Sequence, residues 1–280
     1  MTDNMTREEK LEKIAQAREL ICWDEQGFIE TDQKLQLPQP PLFKPAVSDK
    51  IFKLPSDFEN LDIENDFMSV INKRRSNRVY TEGSISLLQL SAMLWCAQGV
   101  KSIRGNNYAT LRTVPSGGAR HPFELYPVLL RVDGMVSGLY HYLSDSHSLE
   151  LLEEITLNDE TMDRINVSVV DQKWVDKSSA IFYYSIIPYR GEWRYSFNSH
   201  RVMMMDAGHT MQNLTLCATA LGLGSCCIGA VDHRFCSEMF GLDGKEEYMQ
   251  CCVPVGTVDP ENEDAEQAFY AFLKKGNVEE

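Results

Sequence analysis

The sequence predicts an α+β fold in which a mixed β-sheet packs against a layer of helices. Helical and strand-like segments follow one another without the strict alternation of a doubly wound α/β protein. The longest helical stretch, residues 199–221, is apolar nearly all round, which is typical of a helix at the centre of a domain. Of the 280 residues, 43% are hydrophobic, which is enough for a substantial core.

Residues 1–60 are predicted to form an N-terminal arm, and residues 61–280 the main domain. The first part of the arm has helical composition, with Thr6 as the N-cap and Glu9 completing a capping box. Five prolines within residues 36–55 exclude a regular helix there and favour extended chain. Because this stretch also carries apolar side chains, we expect it to wrap around the domain or around a partner subunit.

The domain is predicted to begin with two helices. The first starts near residue 66 and ends at an arginine cluster, residues 74–78. The second opens at a capping box formed by Ser86 and Gln89, and Gly99 closes it.

Strand candidates follow these helices. Residues 123–132 have the composition of a strand in spite of Pro127, and a proline inside a strand predicts an edge position or a bulge. Residues 138–142 and 148–151 are separated by a short polar turn and predict a hairpin. Residues 180–187 predict a buried strand.

The C-terminal part is built around the helix predicted for residues 199–221. This segment contains no proline, and Gly222 and Gly224 stop it. Its run of methionines is explained most simply by core packing. A short helix over residues 234–240 and an apolar strand over residues 249–258 complete the domain.

The charge balance limits the classes of partner. The formal net charge is -14, which argues against nucleic acid or an anionic membrane as the main partner, since both require a broad basic surface. No apolar run approaches the ~20 residues of a membrane span, and the first residues do not form a basic-then-apolar leader. We therefore expect a cytoplasmic protein.

The eight cysteines and six histidines show no metal-binding pattern. Cys226-Cys227 and Cys251-Cys252 are vicinal pairs, which suit neither a disulfide framework nor paired C-x-x-C zinc knuckles. They lie in apolar stretches, where free cysteine acts as a small hydrophobe. No two histidines have the H-x-x-x-H spacing of a helical zinc site. We expect no bound metal.

A cluster of three arginines and one serine stands out in this acidic chain: Arg74, Arg75, Ser76 and Arg78. Guanidinium forks offer paired planar donors and the hydroxyl adds a short one, so the set suits a phosphate monoester. A short basic run is also typical of a solvated surface, and the cluster alone leaves both interpretations open.

A second motif is the loop Pro115, Ser116, Gly117 and Gly118. Its paired glycines would let the backbone lie flat against a ligand. Together with the arginine cluster, the loop predicts a planar cofactor that bears a phosphate. The chain has no G-x-G-x-x-G after its first strand, no P-loop and no G-x-S-x-G elbow, which weakens the case for a Rossmann domain, a P-loop enzyme or an α/β-hydrolase.

The order of these motifs resembles the nitroreductase superfamily of FMN enzymes. Within it the chain is most similar to the SagB-like thiazole/oxazole dehydrogenases, which oxidise azolines in ribosomal peptides. The resemblance implies a nitroreductase-like FMN-binding fold with a mixed central sheet, surrounding helices and a long core helix. It covers residues 66 to about 258 and rests on R-R-S-x-R at 74–78, P-S-G-G-A-R-H-P at 115–122, G-L-Y-H-Y at 138–142, D-A-G-H-T-M-Q-N-L at 206–214 and A-L-G-L-G at 220–224.

The resemblance implies that the arginine cluster holds FMN. Arg74, Arg75 and Ser76 would bind its phosphate and ribityl chain. Arg78 would reach the pyrimidine edge of the flavin, where a cation stabilises the negative charge that develops on reduction. Lys274 and Lys275 are candidates for a second basic clamp.

The resemblance also assigns the groups around the isoalloxazine. Pro115, Ser116, Gly117 and Gly118 would line it from the partner subunit of a homodimer. Gly229 and Ala230 would offer backbone N–H groups near flavin O4 and N5. Gln212 either faces the cofactor or packs within the core helix.

One departure from the family pattern concerns catalysis. Azoline-oxidising members carry a Lys-Tyr pair before the core helix, whereas this chain has Pro188 and Tyr189. Tyr189 is then the candidate acid, base or orienting group, with Arg190 or Arg194 supplying a positive charge.

Three functions follow from the resemblance. The first is an FMN-dependent dehydrogenase that transfers hydride between the flavin and a heterocycle or an amino-acid- or peptide-derived substrate. The second is an NAD(P)H-dependent nitro or quinone reductase. The third is a degenerate flavin-binding scaffold subunit of a peptide-maturation complex, which the replacement of lysine by Pro188 keeps open.

Overall fold

A computed structural model describes residues 5–21, 30–259, 261 and 263–269. The predicted α+β class is confirmed: helices surround one large sheet. Lys274 and Lys275 lie outside the described residues, so their role as a basic clamp stays a prediction.

The strands form a seven-stranded sheet and a separate hairpin. In chain order they are β1 (Ile51–Lys53), β2 (Val100–Arg104), β3 (Ala109–Arg112), β4 (Phe123–Leu129), β5 (Gly138–Leu143), β6 (Ser148–Glu154), β7 (Ala180–Ile186), β8 (Leu223–Ser225) and β9 (Tyr248–Thr257). The large sheet has the order β1-β6-β5-β4-β7-β9-β8, and β2 pairs with β3. Every two neighbouring strands of the large sheet pair antiparallel. Within the described ranges, parallel pairing is limited to isolated bridges such as the one between Ser76 and Ser225.

The helices are α1 (Arg7–Ile21), α2 (Phe67–Lys73), α3 (Leu87–Gln98), α4 (Asp159–Ser168), α5 (Pro188–Tyr195), α6 (Ser199–Ala220), α7 (His233–Met239) and α8 (Glu263–Phe269). The predicted capping boxes open α1 and α3. Glu9 accepts the backbone N–H of Thr6, while Ser86 and Gln89 cap each other reciprocally. The helix predicted up to residue 221 is α6, which ends at Ala220.

Hydrophobic clusters cover both faces of the large sheet. Tyr184 on β7 belongs to the cluster under α3 and α6, and its neighbour Tyr183 belongs to the cluster under α4 and α7. Successive side chains of a strand point to opposite faces, so β7 is buried on both. This explains why residues 180–187 form a continuous apolar run, and it places helices on two faces of the sheet rather than on one.

The edge position predicted for β4 from Pro127 is wrong. β4 lies inside the sheet, between β5 and β7. It pairs with β7 along its whole length but with β5 only at Val128 and Leu129. Pro127 therefore lies just before the ladder with β5 begins, where a missing N–H breaks no bond to that strand.

The described part of the arm after residue 30 lies along the body of the protein. The indole N–H of Trp193 on α5 donates to the carbonyl of Leu37 at 3.0 Å. Glu150 on β6 accepts the backbone N–H groups of Val47 and Ser48 at 2.7 and 2.9 Å. β1 then adds to the sheet edge beside β6. These contacts attach the extended segment to both α5 and the sheet.

Candidate functional site

The arginine cluster lies where α2 ends against β8. The backbone N–H of Arg74, the C-cap residue of α2, donates to the carbonyl of Val70 at 2.9 Å. Two residues later Ser76 forms a parallel bridge with Ser225, and Asn77 donates to the carbonyl of Ser225 at 2.9 Å. The cluster is thereby fixed to the edge of the sheet.

The segment after β8 shares the electrostatic environment of this cluster. Burial raises the pKa of the Cys226 thiol, and the nearby cations Arg78 and Arg74 oppose that rise. Gly229 and Ala230, a few residues further on, are exposed, and a Cβ added to Gly229 would meet no atom within 4 Å. The structure therefore brings the predicted phosphate-binding residues close to the loop that carries the predicted flavin-facing N–H groups.

A buried hydroxyl marks the same place. Ser225 is 2% exposed, and its Oγ has no hydrogen-bond partner among the described residues. Buried polar atoms are normally paired, so an unpaired one beside a cationic cluster is consistent with a ligand site. Two guanidiniums, open backbone and an unpaired hydroxyl fit a phosphate-bearing cofactor such as FMN.

The glycine loop lies against the first half of α6. Ser116 donates its hydroxyl to Asp206 at 2.6 Å, and the Gly117 N–H donates to the same carboxylate at 3.1 Å. Ser116 also accepts the backbone N–H of His121 at 2.9 Å. The hydroxyl of Ser116 is thus used to hold the loop in shape, and Asp206 is the group that the sequence analysis missed although it opens the quoted D-A-G-H motif.

The two motifs of the predicted cofactor site are anchored at different points along α6. Asp206 anchors the glycine loop, whereas β8 follows Ala220 at the other end of the helix. At 1.5 Å per residue these points are about 21 Å apart along the helix axis. Gln212 lies between them and is exposed among the described residues, so both roles considered for it stay predictions.

Tyr189 and Arg190 lie in the first turn of α5, but their side chains have different surroundings. Tyr189 is 37% exposed, and its hydroxyl donates to Asp32 of the arm at 3.0 Å, which raises the pKa of the phenol. Arg190 is 3% exposed and is paired with Glu124 at 2.6 Å. Arg190 therefore does not supply the predicted cation at the Tyr189 hydroxyl, because its guanidinium is committed to a buried ion pair.

The ion pair of Arg190 belongs to a larger buried network. His141 lies 3.3 Å from Glu124 and 2.7 Å from Glu150. Burial alone would raise the pKa of Glu124, but Arg190 and His141 lower it to about 2. This network joins α5, three strands and the arm.

A polar cluster around Tyr108 was also missed. Arg194 Nη1 and Gln33 Nε2 both donate to the Tyr108 hydroxyl, at 2.6 and 2.9 Å. Arg194 Nε donates to the Tyr195 hydroxyl at 3.2 Å. No local pattern predicts this cluster, since its members come from the arm, the β2–β3 turn and α5.

The described residues give no indication of a metal centre or of a membrane span. In the part of the chain that the structure describes, no three His, Cys, Asp or Glu side chains are grouped as a metal ion would require. Of the described helices, none is both long enough and apolar enough to cross a membrane.

Comparisons with known proteins agree with the motif order. The Nitroreductase family model matches residues 71–257. MJ1384 of Methanocaldococcus jannaschii, which its name assigns to the nitroreductases, is 30% identical over 71% of this chain and 93% of that protein.

Two curated relatives are named for the processing of trifolitoxin and of microcin B17. The trifolitoxin-processing protein TfxB of Rhizobium leguminosarum is 32% identical over 49% of this chain and 38% of its own length. The microcin B17-processing protein McbC of Escherichia coli is 28% identical over 47% of this chain and 49% of its own length. The chain thus spans half or less of these two relatives.

A solved structure extends the likeness to the fold. The E. coli microcin synthetase McbBCD complex, with truncated pro-MccB17 bound, contains a chain that matches with a TM-score of 0.57 and 21% identity, over 91% of this chain and 95% of that one. The family match covers more than half of the sequence and includes the arginine cluster, the glycine loop and α6. This chain belongs to the nitroreductase family.

Proposed function

We propose that the protein is an FMN-dependent dehydrogenase that works as a homodimer on a heterocyclic or peptide-derived substrate. The observation that supports this proposal is that Arg74, Ser76 and Arg78 lie close to Ser225 and Cys226, a few residues before the exposed Gly229 and Ala230. A bound flavin would supply hydride transfer, which none of the protein side chains can perform.

The chain's own residues would bind and orient that cofactor. Arg74 and Arg75 suit the phosphate, because guanidinium–phosphate bonds are charge-assisted and bidentate. Arg78 lies with its guanidinium 5.8 Å from the ring centre of Trp174, which holds this cation in place. Ser76 and Ser225 add hydroxyl groups at the same edge.

A shared site between two subunits is supported by the exposed side of α6 next to the glycine loop, where Met204 and Met205 are 46% and 55% exposed. In a dimer related by two-fold symmetry, the loop of one subunit can face the arginine cluster of the other. Pro115 to Gly118 would then contribute to the partner's cofactor site.

The peptide-derived substrate is supported by the relatives' names. Two of the curated relatives process peptides, and the matching complex holds a propeptide. Tyr189 remains a proposed acid or orienting group at that substrate. Its phenol is hydrogen-bonded to Asp32 and its pKa is raised, so the side chain keeps its proton and is not suited to act as a base.

Flavin binding is the first test. The purified wild type should be yellow with non-covalent FMN, and Arg74→Ala should bind FMN about 10- to 100-fold more weakly, since one charge-assisted bond contributes about 1.5–3 kcal/mol. The FMN affinity of the apoprotein, measured by quenching of flavin fluorescence, reports the change.

Arg234→Ala is the matched control. Arg234 is a surface arginine on α7 whose side chain is 91% exposed and paired with Glu238 on the next turn. Its replacement should leave FMN affinity unchanged. A colourless wild type that FMN cannot reconstitute would refute the proposal.

A second candidate function is an NAD(P)H-dependent nitro or quinone reductase, which the similarity to MJ1384 favours. Anaerobic mixing with NADPH or NADH separates the two. Rapid bleaching of the flavin absorbance would favour the reductase, whereas slow bleaching by both nucleotides favours a dehydrogenase that receives its hydride from another substrate. A flavoprotein that turns over neither with these nucleotides nor with a peptide-derived substrate would be a scaffold subunit.

A further inference from the structure

Tyr108 lies in the turn between β2 and β3, and charged groups from two other segments converge on it. Arg194 from α5 donates to its hydroxyl at 2.6 Å, and the guanidinium carbon of Arg120 lies 4.8 Å from its ring centre. Gln33 of the arm donates a second hydrogen bond to the hydroxyl at 2.9 Å. The phenol oxygen of Tyr108 therefore accepts hydrogen bonds from two side chains, Arg194 and Gln33.

This environment favours the ionised form of the side chain. A phenolate oxygen has only lone pairs to offer, and two donors on one oxygen satisfy it better than a neutral hydroxyl. Burial alone would raise the pKa of Tyr108, but Gln33, Arg194 and Arg120 together lower it below the ordinary value. Tyr189 is the opposite case, because its hydroxyl donates a hydrogen bond to the carboxylate of Asp32 and the pKa of its phenol is raised.

Tyr108 also lies next to the glycine loop. Arg120 bridges the two, donating to the carbonyl of Tyr108 at 2.7 Å and to the carbonyl of Gly118 at 3.0 Å. Arg194 packs so closely that a Cβ added to Gly118 would stand 2.4 Å from its Cδ. The loop expected to line the flavin and the acceptor phenol thus form one unit.

We propose that Tyr108 is the group that accepts the substrate proton during dehydrogenation, an inference that rests on the proposed function. The phenolate oxygen forms an O–H bond with the proton as the substrate bond to hydrogen breaks. The electron pair of that bond stays on the substrate and becomes the second bond of the new double bond. The adjacent hydrogen leaves as hydride to the oxidant, which is the flavin in the proposed function, and the phenol then releases its proton to water.

Direct titration tests the ionised phenol without any substrate. In protein labelled with ¹³C at tyrosine Cζ, the Tyr108 resonance is identified by its loss in Tyr108→Phe. We expect it to titrate at lower pH than the resonance of Tyr248, a half-buried tyrosine on β9 outside the cluster. Arg194→Gln should shift the Tyr108 midpoint upward, because it removes the nearer cation. Burial raises the pKa of Tyr248, so the decisive reference is an unperturbed tyrosine: a Tyr108 midpoint at or above its value of ~10 would overturn the proposal.

Turnover tests the transfer itself, with a synthetic thiazoline-containing peptide as the probe and anaerobic flavin bleaching as the readout. Tyr108→Phe should keep its FMN and lose about 10²-fold or more in rate, and it should lose the limb of the pH profile that rises through the Tyr108 pKa. Tyr248→Phe should keep both rate and profile.

The outcomes separate the two hypotheses. A yellow Tyr108→Phe with the wild-type rate and pH profile overturns the role of Tyr108 alone. A yellow wild type that leaves the thiazoline unoxidised overturns the proton-acceptor role as well. A colourless wild type refutes the proposed function, and its absorbance shows this before any variant is compared.

Discussion

Gly118 and Gly134 share a backbone conformation but differ in their surroundings. Their φ angles are +58° and +79°, in the left-handed region that side chains rarely adopt. A Cβ on Gly118 would meet Arg194 at 2.4 Å and the Tyr195 hydroxyl at 2.8 Å, whereas one on Gly134 would meet nothing within 4 Å. An alanine at Gly134 would therefore show the cost of backbone strain alone, whereas an alanine at Gly118 would add the cost of displacing Arg194.

We predict that Gly134→Ala lowers the free energy of unfolding by about 1–2 kcal/mol, the cost of the left-handed conformation alone. Gly118→Ala should lower it further, and it should also raise the pKa of Tyr108, because the displaced Arg194 no longer donates to the phenol. Urea denaturation and the Cζ titration measure the two effects. Equal losses of stability with an unchanged Tyr108 pKa would contradict this prediction.

At the scale of secondary-structure elements, Glu150 joins the arm to the sheet. Its Oε2 accepts from Val47 and Ser48, and its Oε1 lies 2.7 Å from His141 Nδ1. The pKa of His141 is raised: burial lowers it, and Glu124 and Glu150 raise it by more. The carboxylate therefore holds both the arm and a buried imidazole.

Glu150→Gln should destabilise the fold by about 1.5–3 kcal/mol, the contribution of hydrogen bonds to a charged group. Hydrogen exchange at the amides of Val47 and Ser48 should accelerate at the same time. Urea denaturation and exchange measured by mass spectrometry check the two results. Glu154→Gln, at an exposed position of the same strand, is the control and should change neither.

This prediction also has a pH dependence. Because the folded pKa of His141 is raised, its pairing with Glu150 stabilises the fold fully below about pH 6.5 and is lost as the pH rises through the folded pKa. The difference in stability between wild type and Glu150→Gln should therefore be larger near pH 6 than near pH 9. A difference that grows with pH would contradict the charge assignment.

The elements that the sequence predicts are those with local signals. The capping box at Ser86 marks α3, and the absence of proline over a long apolar stretch marks α6. α5 is not predicted, although Pro188 stands at its first turn, because eight residues are too few for a periodic pattern. Its position depends on the ion pair of Arg190 with Glu124, which no local pattern contains.

The candidate site divides in the same way. The arginine cluster and the glycine loop are contiguous motifs, so the sequence finds them. Asp206 could have been found, since it lies within a quoted motif and is a carboxylate in an apolar helix. Tyr108 and Gln33 could not, because their importance comes only from the contact with Arg194, which folding creates.

At the scale of the whole molecule, one side of α6 is left uncovered by the residues that the structure describes. Met204 and Met205 are 46% and 55% exposed, while Met203 is buried, so core packing explains only part of the methionine run. Gly208 on the same side has open space around its Cβ position. An exposed side of the central helix that carries two methionines among polar residues fits the proposed homodimer.

We predict that the wild type sediments at twice the mass of the chain and that Met205→Glu sediments as a monomer, because a buried charge at the interface costs more than the methionine contact contributes. The monomer should bind FMN weakly, since each site would lose the partner's glycine loop. Analytical ultracentrifugation followed at the flavin absorbance measures both. Val167→Glu, at an exposed apolar position on α4, should stay dimeric, and a flavin-loaded wild-type monomer would refute the proposal.

The bond between Lys44 and Glu247 spans 203 positions of the chain. The ribosome makes Lys44 long before Glu247, so the carboxylate that receives Lys44 emerges only after the residues between them. Contacts of such long sequence separation form late, because the chain between them must already be ordered. The arm also supplies Asp32 and Gln33 to Tyr189 and Tyr108. The strands from β4 to β9 can therefore pair before these two tyrosines acquire their native partners, so that the arm, although synthesised before them, completes the candidate site last.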